Sequence, residues 1–160
     1  MALSAGDLQS VLRQAGWPES LLVTMAAVGL AESSGRPDAL NNTPGREYSV
    51  GLFQINMKAH GTRYGSKEAL QNPLTNARAA LAIYRLQGLR AWGAYTDGRY
   101  KKYMPQSQAA YRGSSGGGGA AAPAPVYAAH HNLAPSGAPA SGITPAGILV
   151  FGLLIYLAVK

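Results

Sequence analysis

Apolar residues recur near the start of the chain with the period of a helix. Leu8, Val11, Leu12 and Ala15 follow the i, i+3, i+4, i+7 spacing of one apolar face. Ser4 stands where an N-cap belongs, Asp7 three residues on completes a capping box, and Gly16 is the terminator. One short amphipathic helix is predicted there. A second opens after Pro18, a residue suited to a first helical turn. It carries Leu21, Met25, Val28 and Glu32 at spacings of 4, 3 and 4, so that all four share a stripe. The stripe therefore ends in a carboxylate.

Beyond Glu32 the pattern breaks. The run from Ser33 through Gly35, Pro37 and Ala39 leaves the helix, and Asn41, Asn42, Pro44 and Gly45 form a turn cluster. Residues 48–56 read as extended, too interrupted at Gly51 for a helix and too short for a sheet of their own. A short β-hairpin over residues 47–56, forming one wall of a cleft, is the expectation. Asn72 and Pro73 then open a third helix as N-cap and first-turn proline, with Leu74, Ala77, Leu81 and Tyr84 on its inward stripe.

The character of the chain changes after Arg112. In residues 113–142, 24 of 30 positions are Gly, Ala, Pro or Ser, a composition that buries too little apolar surface to offset the entropy of ordering. This stretch reads as a flexible tether spanning roughly 30 Å as a Gly-rich coil. Residues 143–159 are seventeen positions without a charge, closed by Lys160. As a helix they would be roughly 25 Å long, the short limit for crossing a hydrocarbon core, with Lys160 able to snorkel to an interface. A C-terminal membrane-anchor helix (143–160) is expected; burial in a protein assembly is the alternative that Pro145, Gly147 and Gly152 leave open. Residues 1–112 are the candidate folded domain, mainly α.

Composition narrows the chemistry. The absence of cysteine excludes a disulfide framework, Cys-ligated metal and thiol catalysis. Fourteen Lys and Arg against seven Asp and Glu give a formal charge of +7, which favours nucleic acid, cell wall or phospholipid as partner. Arg99, Lys101, Lys102 and Arg112 interleave with Tyr100, Tyr103 and Tyr111, a combination that suits a nucleic-acid backbone with stacked bases. It suits an anionic glycan equally, and no nucleic-acid fold motif accompanies it, so a basic DNA-binding virion protein is the less favoured class. His130 and His131 are adjacent and cannot share one ligand face, and His60 stands alone. No metal and no cofactor are expected. Trp17 and Trp92 fit either a sugar cleft or a core.

Glu32 is the candidate for chemistry. A carboxyl at the end of a buried stripe is partly desolvated, which raises its pKa and keeps a proton available near neutrality. Glycosidic bond cleavage needs such a donor. The same spacing also fits a surface carboxylate that caps a helix or pairs with an arginine.

Three blocks in order bear on that choice: Glu32-Ser33 with Pro37 and Ala39; Gly51-Leu52-Phe53-Gln54-Ile55; and Asn72-Pro73 with Asn76, followed by Ala94-Tyr95-Thr96-Asp97-Gly98. In these blocks the chain resembles the lytic transglycosylases of the lysozyme-like superfamily over about residues 17–100. The resemblance implies a small lysozyme-like α+β fold, Glu32 as catalytic acid and base, Gln54 and Ser49 as contacts to the acetamido group and glycan, and Tyr95 as a hydroxyl that orients Glu32. Ser33, Asn56 and Tyr84 complete the implied binding set. The chain departs from the family pattern at Tyr48-Ser49, where a small Gly-Ala pair is common, at Thr96-Asp97, where Asn and Ala are usual, and at Asn56, where related goose-type lysozymes tend to carry Asp.

The implied substrate is peptidoglycan. Its N-acetyl group can supply the nucleophile, so one protein carboxyl suffices, and attack by the sugar's own C6 hydroxyl closes a 1,6-anhydro ring without water. Hydrolysis is the rival, with Glu47 activating a water on the far sugar face, although an acid beside turn glycines is often simply solvated. Asp97 reads as half of an Asp-Gly turn. The start of the chain lacks a basic n-region and apolar h-region, so no signal peptide is expected. A tail-anchored wall enzyme on the wrong side of the envelope would need delivery, by a virion during phage entry or by a conjugation or secretion machine.

Overall fold

The computed structural model describes residues 1–45 and 47–115. Most of the proposed tether and the apolar segment 143–159 lie outside the described residues; among those described, no helix is long and apolar enough to cross a membrane.

The first helix, α1 (Ala5–Gln14), begins as its sequence dictates. The Ser4 hydroxyl accepts the Asp7 N–H, and the Asp7 carboxylate accepts the Ser4 N–H at 3.0 Å, completing the capping box. A 3₁₀ turn (Glu19–Leu21) follows Pro18 and leads into α2 (Leu22–Ser33). Here the sequence stripe was too narrow. Leu22 and every residue from Met25 to Leu30 are buried, so α2 is enclosed on all sides, as a helix apolar around its circumference must be. It is the central helix, with α1 and the last described helix, α7 (Met104–Ser115), packed against it. Gln9 of α1 ties α7 down by donating to the Ser107 carbonyl at 2.7 Å. The helix α7 runs to Ser115, so the first three residues read as tether are helical.

The expected hairpin is a three-stranded antiparallel sheet. Strands β1 (Leu40–Thr43), β2 (Glu47–Val50) and β3 (Ile55–Asn56) pair in that order, with Asn41 opposite Ser49 and Val50 opposite Ile55. Asn41 and Asn42, read as turn residues, belong to β1; the turn itself is confined to the Pro44-Gly45 region. The cause is pairing. All four β1 residues are exposed, so the strand has no apolar periodicity of its own and exists because its backbone groups meet those of β2.

Short helices α3 (Met57–His60) and α4 (Lys67–Leu70) lead to α5 (Pro73–Gln87), which starts as predicted: the Asn72 side chain accepts from Leu74 and Thr75 N–H, and Pro73 opens the first turn. Asn76 on α5 is fully buried and holds the sheet to the helix. Its Oδ1 accepts the Phe53 N–H at 2.9 Å, while Nδ2 donates to the carbonyls of Val50 at 2.9 Å and Leu70 at 2.8 Å. Gly51 is required at this junction, because its φ of +80° is left-handed and a Cβ there would collide with Asn76 Nδ2 and the Leu70 carbonyl. On the other side, a Cβ at Gly29 of α2 would sit 3.1 Å from the Phe53 ring, so the glycine lets the central helix approach the loop between β2 and β3. The helix α6 (Gly93–Thr96) and a 3₁₀ turn (Arg99–Tyr103) complete the fold. Trp17 and Trp92 are core residues, their indoles donating to the carbonyls of Ala77 and Phe53 at 3.0 and 3.1 Å.

Candidate active site

Glu32 lies in the last turn of α2, half-buried, where Ser34 ends the helix in a left-handed conformation at φ +56°. Its Oε1 accepts the Ala94 N–H at 2.8 Å. Ala94 is fully buried in α6, so this donor is fixed. The Ala94 N–H is best matched to the carbonyl oxygen of a neutral carboxyl, and Oε2, which makes no hydrogen bond among the described residues, is the oxygen free to carry the proton. Burial pushes the Glu32 carboxyl above the usual glutamate range. The Ala94 N–H and the positive Arg99 oppose the shift, whereas the negative charges of Asp97 and Glu47 add to it. The net direction is that of a group holding its proton.

Glu47 lies on β2, and its charge reaches Glu32. Both of its oxygens are engaged: Ser49 Oγ donates to Oε1 at 2.7 Å and Asn41 Nδ2 to Oε2 at 2.9 Å. The geometry follows from register, since residues 47 and 49 share one face of β2 and Asn41 is the cross-strand partner of Ser49. Gln54, in the loop before β3, has φ +46°, a conformation rare outside glycine. Its Nε2 donates to the Gly51 carbonyl at 2.9 Å and the Ala39 carbonyl at 3.3 Å, which leaves Oε1 as the end of the amide that can meet a ligand.

The remaining candidates separate. Ser33 is 5% exposed and its hydroxyl donates to the Gly29 carbonyl one turn back, so its hydrogen is committed to its own helix. Ser49 has no exposed surface and acts on Glu47. Asn56 uses its Oδ1 as the N-cap of α3, accepting from Lys58 at 2.9 Å and Ala59 at 3.2 Å. Tyr84 packs its ring 5.2 Å from Trp17, in the aromatic part of the core. Tyr95 is next to the site, yet the group that bonds Glu32 is the backbone of the preceding residue, while the Tyr95 ring stacks on Tyr100 at 4.9 Å. Sequence reasoning missed Ala94, whose contribution is a peptide N–H and carries no residue signature. It also missed the part played by Asn41, and it named Arg99 only within the basic, tyrosine-rich segment, without its pairing to Asp97.

The basic tyrosine-rich segment is engaged with the protein itself. Tyr100 and Tyr103 pack on the core, Tyr111 lies beneath the Arg13 guanidinium at 5.6 Å, and Arg99 pairs with Asp97 at 2.6 Å. Rings held this way offer little for base stacking. Asp97 behaves as read, closing the turn into Gly98 by accepting the Arg99 N–H at 2.9 Å. Among the described residues no group of three or more His, Cys, Asp or Glu could hold a metal ion.

A proton-holding acid at the end of a buried helix, near enough to a carboxylate of a small polar sheet to sense its charge, is an arrangement suited to cleaving glycans. Comparison with known proteins agrees with it. No curated protein matches the chain. A family model described as a lysozyme-like domain matches residues 9–94, a span that starts in α1, contains Glu32 and the sheet, and ends at Ala94. This supports an enzyme that acts on peptidoglycan. Because the matched span exceeds half of the 160 residues and contains the site just described, the chain belongs to the lysozyme-like domain family.

Proposed function

We propose that the protein is a lytic transglycosylase that cleaves the β-1,4 bond between N-acetylmuramic acid and N-acetylglucosamine. The observation that carries the reading is the Glu32 carboxyl, proton-bearing through burial and oriented by one backbone donor. Glu32 Oε2 protonates the glycosidic oxygen as that bond breaks. The substrate's acetamido oxygen captures the developing oxocarbenium carbon. The ionised Glu32 then takes the proton of the C6 hydroxyl, whose oxygen attacks the anomeric carbon and expels the acetamido group. In this reading Gln54 Oε1 accepts the acetamido N–H, its Nε2 being engaged by the Gly51 and Ala39 carbonyls.

Hydrolysis is favoured by one observation: the charge of Glu47 is felt at Glu32. Against it, both Glu47 oxygens are already hydrogen-bonded, and the position two past Gln54 is an amide engaged in capping. Digestion of purified sacculi followed by mass spectrometry separates the readings. The transglycosylase releases muropeptides lighter by one water than reducing-end products and keeps that activity in Glu47→Gln; reducing products abolished by Glu47→Gln establish a lysozyme. Glu32→Gln must eliminate either activity, and near-normal clearing by that variant refutes both.

The apolar composition of residues 143–159 supports an anchored enzyme, delivered in a virion or held in a membrane for local penetration of the wall. Recovery of the full chain in a soluble fraction without detergent, lipid or partner would refute this part of the proposal.

A further inference from the structure

The turn after α6 carries an arginine that the chemistry above does not use. Arg99 is held at two points by Asp97: its backbone N–H donates to Oδ1 at 2.9 Å and its Nε to Oδ2 at 2.6 Å. Among the described residues neither Nη atom donates a hydrogen bond, and the side chain is 55% exposed. Nη2 lies beside α6, 3.6 Å from where a Cβ on Gly93 would stand, one residue before the amide that bonds Glu32. The guanidinium and the Glu32 carboxyl sense each other electrostatically. The stacked rings of Tyr95 and Tyr100 flank the same turn.

An exposed pair of this kind contributes little to stability, about 0–1 kcal/mol. Its effect is geometric. With Nε tied back, the planar fork has lost much of its rotamer freedom, and its two Nη atoms, which donate no hydrogen bond among the described residues, keep the paired-donor geometry that fits a carboxylate. Binding an anion there orders little that is not already ordered.

We propose that Arg99, fixed by Asp97, is a specificity-determining residue that binds a carboxylate on the muramoyl side arm of the glycan. This inference rests on the transglycosylase reading for its substrate, and it goes further by naming the charged group that is recognised. The carboxylate has two sources: the lactyl group itself in a peptide-free strand, or a free carboxylate of the stem peptide when the lactyl group is amide-linked. Neutral glycan, and stems whose carboxylates are capped as carboxamides, lack the partner. Asp97 is the positioning residue, because an arginine released from it keeps its charge and loses its aim.

The test uses the full chain in detergent. Initial cleavage rates and KM are measured on three glycans: peptide-free strands with free lactyl carboxylates, strands with carboxylate-bearing stems, and strands with carboxamide-capped stems. The native protein should favour a carboxylate-bearing strand over the capped one by about ten- to a hundredfold in kcat/KM, the range expected for a charge-assisted contact. Which of the two carboxylate strands it favours identifies the source. Arg99→Gln should lose the discrimination mainly through KM, Arg99→Lys should recover only part of it, and Asp97→Asn should fall between. If the native protein shows no preference, or if Arg99→Gln lowers cleavage of all three strands by one factor, the proposal is overturned while the Glu32 reading stands. If the native protein cleaves none of them, the transglycosylase reading fails and takes this inference with it.

Discussion

Removing the Asn76 carboxamide is the sharpest test of how the sheet is held to α5. Asn76→Ala deletes three buried hydrogen bonds, to Phe53 N–H and to the Val50 and Leu70 carbonyls. Each contributes about 1 kcal/mol net, and leaving a buried backbone N–H without an acceptor costs about a further 1–3 kcal/mol. The Phe53 N–H has no other acceptor among the described residues. Water entering the vacated space offsets part of this, so the expected loss is about 3–5 kcal/mol, against the 5–15 kcal/mol typical of a domain. Urea unfolding followed by tryptophan fluorescence and by far-UV circular dichroism measures it. The indole of Trp92 bonds the Phe53 carbonyl, so fluorescence reports on the same loop. A shift of the two midpoints together by the stated amount supports the role. A loss below about 1 kcal/mol would show that the loop is held by apolar packing around Phe53 and that the three bonds are incidental.

Four further outcomes are expected. Glu32 has a folded-state pKa raised above its unfolded value of 4.5, so keeping it ionised costs folding free energy above that range; Glu32→Gln should be more stable than the native protein at pH 7, with the advantage vanishing below about pH 4.5, as read from melting temperatures across pH. The native activity should correspondingly fall as pH rises through that raised pKa, because the donor loses its proton. Gly51→Ala should prevent folding, measured by loss of near-ultraviolet circular dichroism, whereas Gly45→Ala, with nothing within 4 Å of the new Cβ, should cost only the strain of its φ of +77°. Ser4→Ala should lower stability by about 1 kcal/mol in denaturant unfolding without changing kcat.

What could be read from the sequence was what is local. The capping box at Ser4, the Asn72-Pro73 helix start and the position of Glu32 each depend on residues within a few positions of one another, and each stands as expected. Strand β1 was not legible, because Asn41, Asn42 and Thr43 carry turn chemistry and become a strand only through pairing with β2. The serines show a different loss of information. A hydroxyl beside a catalytic residue suggests a ligand, but Ser33 turns back onto its own helix and Ser49 onto a neighbouring carboxylate. The first is a known habit of serine in helices and was accessible in principle. The second needed the fold.

The bond between Glu32 and the Ala94 N–H has a consequence for how this domain varies under mutation. The donor belongs to the peptide unit, so every residue except proline supplies it, and replacing the side chain at position 94 tests packing alone. A scan by side chain would find the acid and pass over its partner. The hydrogen bond that orients Glu32 is thereby insulated from drift at residue 94, and it is exposed instead to anything that shifts the α6 backbone, including changes at Gly93, Asp97 and Arg99, none of which touches the carboxyl through a hydrogen bond.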